Sequence, residues 1–182
     1  MSWHTSALVI EGHHADRGAQ LLADLGLPGK RDVRAVSGDQ AGASDLEGRA
    51  IGAVGGWTVV WDAMMFIPDG LEDLEGMFET GIWSASVETA LLRLSQRSRV
   101  YSFVVEGSSG SYGFAWYVKG QRRRLWLSQE GSVVLEDGPP LSEEAPAAQE
   151  EPDGEQRMFV LMRALTGVSI ADADAASYRV FA

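Results

Sequence analysis

Any chemistry in this chain has to come from a few groups of side chains. His13-His14 stand between Glu11 and Asp16, and Ser108-Ser109 are flanked by Gly107 and Gly110. Acidic pairs occur at Glu72-Asp73, Glu143-Glu144 and Glu150-Glu151, and Arg122-Arg123-Arg124 form the one basic cluster. Histidine beside carboxylate can bind a metal or move protons. Adjacent histidines on a strand or loop project in different directions, however, and His4 falls on the far side of a strand. The pattern therefore reads as an exposed turn, and no metal site is expected. The serines join two strands, whereas a hydrolase nucleophile needs a strand-to-helix turn in a Gly-x-Ser-x-Gly frame. They read as a hairpin turn. Despite 21 glycines, no segment matches a Walker A loop or a dinucleotide fingerprint, and no cofactor is expected.

General acid–base catalysis needs two carboxylates whose surroundings separate their pKa values. Those of the 143–151 run fall in a solvated stretch and should ionise alike. Asp62 differs, because it follows Trp61 directly at the end of an apolar strand; it reads as a strand-end surface carboxylate. On a regular strand, Arg122 and Arg124 share a face with Trp126, while Arg123 lies opposite with Leu125 and Leu127. An anion site is one use for them. Pairing with the acidic stretch or with cross-strand carboxylates is the simpler one.

Aromatic residues offer a different kind of site. The six tryptophans are Trp3, Trp57, Trp61, Trp83, Trp116 and Trp126, and each indole N–H needs a partner if buried. Most are expected in the core. Trp116 and Trp126, with Tyr112 and Phe114, could form an exposed platform, since Trp, Tyr and Arg dominate binding hot spots. The expectation is nevertheless that helices 86–96 and 155–166 cover that face.

The elements that must position these groups begin with a strand at Ser6–Glu11. A helix follows from Asp16, with Asp16 as its cap, Ala19, Leu22 and Leu25 on one face, Gly26 at its end and Pro28 just beyond. Seven glycines interrupt residues 29–56. Strands are expected at Asp32–Val36 and Arg49–Val54, then a hairpin at Gly55-Gly56 into the strand Trp57–Trp61. A short helix is read at Leu71–Phe78. A longer one starts at Ser86, with Val87, Ala90, Leu91 and Leu94 at helical spacing. An antiparallel meander then runs over about 99–135: Arg99–Glu106, Tyr112–Lys119, Gln121–Gln129 and Ser132–Leu135, joined by short turns. A helix from about Gly154 carries Met158, Leu161, Met162 and Leu165 on one face and ends at Gly167. Ser177–Phe181 reads as a last strand. The fold class is α+β: a mainly antiparallel sheet, with the meander in its C-terminal half, packed against two to three helices.

Composition narrows the function classes. A chain of 182 residues with 45% hydrophobic content fits one domain, 1–182. It contains no cysteine, which excludes disulfides, thiolate catalysis and Cys-based zinc sites. With neither a signal-peptide core nor a membrane span in the sequence, a cytoplasmic location is expected. The net charge of −11 opposes nucleic-acid binding, which depends on Lys and Arg neutralising phosphates. Residues 136–156 hold eight acidic residues, four prolines and neither Lys nor Arg, and they read as an exposed, mobile acidic loop. The oligomeric state is not legible.

The run from Val100 to Gly107, followed by Tyr112-Gly113-Phe114-Ala115-Trp116-Tyr117, the Gly120 turn and the exit Glu136-Asp137-Gly138-Pro139-Pro140-Leu141, resembles small bacterial α+β proteins of uncharacterised role. In size, acidity, missing cysteines and Trp-rich layout the chain also resembles the immunity proteins of polymorphic toxin systems. The second resemblance implies a stoichiometric, non-enzymatic inhibitor of a protein partner, and the negative charge suits a basic one. Its candidate contact residues are Glu143, Glu144, Glu150, Glu151 and Asp153, with Trp116 and Trp126. An enzyme or small-ligand protein with a pocket assembled from Asp62, His13 and the arginines at 122–124 is the alternative. A structural or assembly subunit is a third.

Overall fold

Strand alternation and turn chemistry generate nine strands among the described residues, and hydrogen bonding joins these nine into one sheet. The computed structural model describes residues 4–27, 32–43, 45–63, 83–151 and 154–182. In chain order the elements are β1 (His4–Glu11), α1 (Gly18–Asp24), β2 (Asp32–Ser37), α2 (Gly38–Ala41), β3 (Arg49–Val54), β4 (Trp57–Asp62) and α3 (Ala85–Leu94). They continue with β5 (Val100–Glu106), β6 (Ser111–Val118), β7 (Gln121–Gln129), β8 (Ser132–Asp137), α4 (Glu144–Glu150), α5 (Gly154–Thr166), α6 (Ile170–Ala175) and β9 (Ser177–Phe181). The helix read at Leu71–Phe78 lies outside the described residues, as do Trp3, Pro28, Glu72, Asp73 and Asp153.

The sheet order is β2-β9-β3-β4-β1-β5-β6-β7-β8, and every neighbouring pair is antiparallel. The fold is therefore α+β with an antiparallel sheet, as the sequence indicates. The meander β5–β8 forms one half. In the other half β1 lies between β4 and β5, and β9 inserts between β2 and β3.

Both faces of the sheet are covered. On one face, α1 and α3 deliver Leu21, Leu22, Leu25, Val87, Ala90 and Leu91 onto Leu8, Ile10, Val60, Val104, Ala115 and Tyr117. On the other, α5 delivers Met158, Phe159, Leu161 and Met162 onto Val9, Trp61, Tyr101, Phe103, Phe114 and Trp116. Central strands buried on both sides need apolar residues at consecutive positions, which is why Ala7–Ile10 and Val59–Trp61 do not alternate. Phe103 meets Trp61 and Phe159 edge-on, with centroids 5.9 and 5.7 Å away. This is the geometry that aromatic quadrupoles favour.

Helix ends differ in detail from expectation. The cap of α3 is Ser84, whose side chain accepts from the Val87 N–H, and not Ser86. Asp16 caps nothing: it lies in a 3-10 turn, Ala15–Arg17, and α1 begins after it without a side-chain cap. Ala19 is exposed, so the buried face of α1 runs through Gly18, Leu21 and Leu22. Gly26 and Gly167 do terminate their helices with positive φ, at 72° and 78°.

Gly52 sits mid-strand in β3 for a steric reason. A Cβ there would stand 2.6 Å from the Tyr178 ring and 2.8 Å from the Ser177 carbonyl oxygen on β9. Gly52→Ala should therefore destabilise the fold by about 1–3 kcal/mol, read from the urea midpoint at unchanged slope.

Asp174, on α6, supplies a pH test. Burial, and then the charge of Asp39, hold its carboxyl above the usual range. A carboxyl whose folded pKa is raised binds its proton more tightly in the native state. Its stabilising contribution is present below the unfolded value of 3.8 and is lost as pH rises through the folded value. Asp174→Asn should therefore raise the melting temperature at pH 7 and leave it nearly unchanged at pH 3, as measured by calorimetry.

Candidate functional site

The arginine run on β7 is where sequence and geometry diverge most. Trp116 of β6 pairs with Arg124, yet Tyr117 pairs with Arg122, so Arg123 is an extra residue in a bulge. Because directly paired residues share a face, the bulge turns Arg122 to the side of Tyr117 and α3, and Arg124 to the side of Trp116 and α5. The shared face expected for Arg122 and Arg124 does not exist.

Each arginine then binds carboxylates on its own side. Arg124 is 2% exposed. Its Nε and Nη2 donate to the two oxygens of Glu144 at 2.8 and 2.9 Å, Nη2 donates to Glu136 at 2.7 Å, and Nη1 donates to the Gly138 carbonyl at 2.8 Å. Burial opposes its charge, but the hydrogen bonds and charges of Glu144 and Glu136 outweigh that and raise its pKa. Across the sheet Arg122 donates to Glu88 of α3 and to Asp137 of β8, both at 3.1 Å. Glu88 also accepts from the Tyr117 hydroxyl at 2.6 Å. Burial, followed by the Glu88 charge, holds that phenol far above its ordinary pKa. Gly138 has to be glycine here, with φ of 78° and its Cβ position 2.3 Å from the Arg123 carbonyl oxygen.

The acidic stretch is consequently not one open loop. Glu136 and Asp137 end β8, and residues 144–150 form α4, with Ala147 buried against α5. Pro146 falls in the first turn of α4, where its missing N–H costs nothing. Glu144 is a structural partner of Arg124, with 18% of its side chain exposed. Glu150 pairs with Arg163 of α5 at 2.6 Å on the surface, and Glu143 accepts from the Ser142 hydroxyl at 2.8 Å. The backbone carbonyl of Glu151 accepts from Arg157 at 3.5 Å.

Trp116 is 8% exposed and packs in the core, which corrects its role as a surface anchor. Trp126 is half-buried, 6.2 Å from the Phe114 ring, with the Arg157 guanidinium 5.8 Å over its own ring. The aromatic face of the meander is thus covered, by α5. The other helix expected over it, α3, lies on the opposite face.

The dispersed pocket does not assemble. Asp62 is 1% exposed and accepts from Arg49 Nε at 2.8 Å, which corrects its reading as a surface carboxylate. His13 is exposed beyond the other end of β1, away from Asp62 by the length of β4, roughly 17 Å. The arginines stand three strands away from β1, roughly 14 Å. His14 donates its backbone N–H to the Thr58 hydroxyl, and its ring Nε2 lies 3.1 Å from the Glu11 carbonyl oxygen. Among the described residues no group of three or more His, Asp or Glu is arranged to hold a metal ion, and no helix is long and apolar enough to cross a membrane.

The feature that sequence reasoning missed is the outer strand. Val133 and Val134, 53% and 54% exposed, are the large hydrophobic residues left open among those described. They are adjacent on β8, whose outer side faces no other strand among the described residues. Val133 pairs with Ser128 and Leu135 with Leu127, so Val134 is the extra residue of a second bulge. Both valines were visible as β-branched strand residues, but only the sheet order shows that they lie on an edge.

Scans against family models, curated proteins and solved structures find no match to this chain.

Arg124 and its half-exposed partner Glu136 should separate in a mutational test. Arg124→Ala removes the cation that three acceptors converge on and should cost about 3 kcal/mol. Glu136→Gln, at a half-exposed partner, should cost less than about 1 kcal/mol. Parallel denaturant titrations of the two variants check the difference.

Proposed function

We propose that the chain is a non-enzymatic binding protein that docks a basic protein partner along the β8 edge. The observation that carries this reading is the adjacency of Val133 and Val134 on a strand with an unpaired outer side. Edge strands are usually guarded by charge, because their free N–H and C=O groups template further pairing. Here the charges at the end of β8 are engaged in ion pairs: Glu136 is bound to Arg124 and Asp137 to Arg122. The apolar half of the strand is left open. An extended segment added there would gain main-chain hydrogen bonds along β8 and side-chain contacts with the valines.

Charge selects the partner. From Glu130 to Glu151 the sequence has no Lys or Arg, and Glu130, Glu143 and Glu151 make no ion pair among the described residues. Such a field steers a basic partner and repels an acidic one. An immunity-type inhibitor that captures a basic protein stoichiometrically is the binder this arrangement suits, in line with the resemblance in size and acidity. Asp153 remains an acidic contact by sequence alone, and Trp126, half-buried, is the nearer of the two tryptophans to any such surface.

The test is affinity capture from the native host at moderate salt, with the wild-type chain and a V133K/V134K variant whose melting temperature is matched. The wild type should retain a basic protein, and the variant should lose it by about tenfold or more. Recovery of no protein, or equal recovery by both, would sink the reading. A wild-type dimer that the same substitutions dissociate would assign the edge to a second copy instead.

A further inference from the structure

On the face of the sheet opposite α5, a cleft of about 610 Å³ opens between α1 and the end of α3. Its floor includes Leu21, Leu25 and Ala90, all buried. Three arginines line it: Arg17 from the turn before α1, Arg93 from the last turn of α3, and Arg97 just beyond. None of the three makes an ion pair or a side-chain hydrogen bond among the described residues. Arg49, Arg99, Arg122, Arg124 and Arg163, by contrast, are each bound to a carboxylate, while Arg34 and Arg123 are exposed and make no ion pair among the described residues.

Three unpaired arginines around one space run against composition. Acidic residues outnumber basic ones 26 to 15, so a surface arginine has more carboxylates available than it can use. The one carboxylate lining the cleft, Asp24, accepts instead from the Gln20 side-chain amide at 2.8 Å. Arg93 and Arg97 are four residues apart, a spacing at which like charges destabilise a helix end. The negative end of the α3 dipole accounts for Arg93. It does not account for Arg17, which arrives from a different element to line the same space.

We infer that this cleft binds a small phosphate-bearing ligand, with Arg17, Arg93 and Arg97 as its oxyanion contacts. Guanidinium groups match phosphate oxygens in bidentate pairs, and three of them against one carboxylate favour a ligand with at least two negative charges. The volume falls in the range of small-molecule sites and suits a diphosphate with an attached group. The net charge of the chain does not forbid this. Solvated charges are screened over about 8 Å at physiological ionic strength, and the acidic edge at β8 lies across the sheet and several strands away. The site is independent of the β8 edge and stands or falls without it.

Calorimetric titration with sodium diphosphate and, separately, with ADP tests the inference on the full chain at low and at physiological ionic strength. One equivalent of at least one probe should bind. R93Q/R97Q should weaken it by about tenfold or more, and R17Q by about threefold or more. R123Q, which removes an exposed arginine on β7, is the charge-matched control and should change the affinity by less than about twofold. Tighter binding of ADP than of diphosphate would show that the group attached to the phosphates also contacts the cleft. Binding of neither probe would overturn the inference. So would a loss in R123Q equal to that in R93Q/R97Q, or wild-type affinity in R17Q together with R93Q/R97Q.

Discussion

Three consecutive arginines on one strand would place two of them on the same face, in competition for the same carboxylates. The bulge at Arg123 removes that conflict, and the architecture of the whole meander follows from it. One residue too many on β7 turns Arg122 toward α3 and Arg124 toward α4 and α5. β8 carries Glu136 and Asp137 in sequence, which alternate to opposite faces and meet the two arginines in turn. A single strand therefore ties a helix layer to each side of the sheet and holds its own outer neighbour in place. Buried ion pairs add little net stability compared with apolar packing, and their value lies in excluding other registers. A slip of β8 by one residue would set each carboxylate on the side away from its arginine.

The sheet those arginines clamp is buried on both faces, which is uncommon for antiparallel strands. Two separate apolar clusters result, one under α1 and α3 and one under α5 with α2 and α6. Several polar groups within them are matched locally. The Trp83 indole donates to the Ser102 hydroxyl, the Tyr101 hydroxyl to the Met158 carbonyl, and the Ser6 hydroxyl to the Asp62 carbonyl. With its faces occupied, the sheet offers only its edges and the crevices between covering helices to the outside. The two sites put forward above are one of each.

Much of this was legible in the sequence, and the failures share a cause. The bounds of β3, β7 and β9 follow from Arg49–Val54, Gln121–Gln129 and Ser177–Phe181, because turn residues and β-branched runs are local signals. The apolar face of α5 is equally local. What depended on distant partners was lost. The Arg123 bulge shows only when β6 is laid beside β7, and the burial of Asp62 only when Arg49 is laid beside β4. Glu144 reads as a contact residue by its charge, although Arg124 already holds it. The α4 helix hid behind a proline and a run of acids that resemble a loop. The cleft arginines were scattered over eighty residues with no motif to join them, and only packing of α1 beside α3 makes them one group.

The position of β9 has a consequence for how the chain reaches this state. Among the described residues β2 pairs with β9 and with no other strand, so the strand at 32–37 waits for the one at 177–181. Until residues 177–181 leave the ribosome, β2 has no ladder to join and β3 presents an open side. β1, by contrast, has both its neighbours once β5 is complete. Synthesis and folding should therefore run together through the middle of the sheet and part company at one flank. That flank closes only after β9 has emerged, at the slow rate expected of contacts so far apart in sequence. A stalled or truncated product that lacks β9 would keep a largely built core with a raw, unpaired border, open to pairing with other chains.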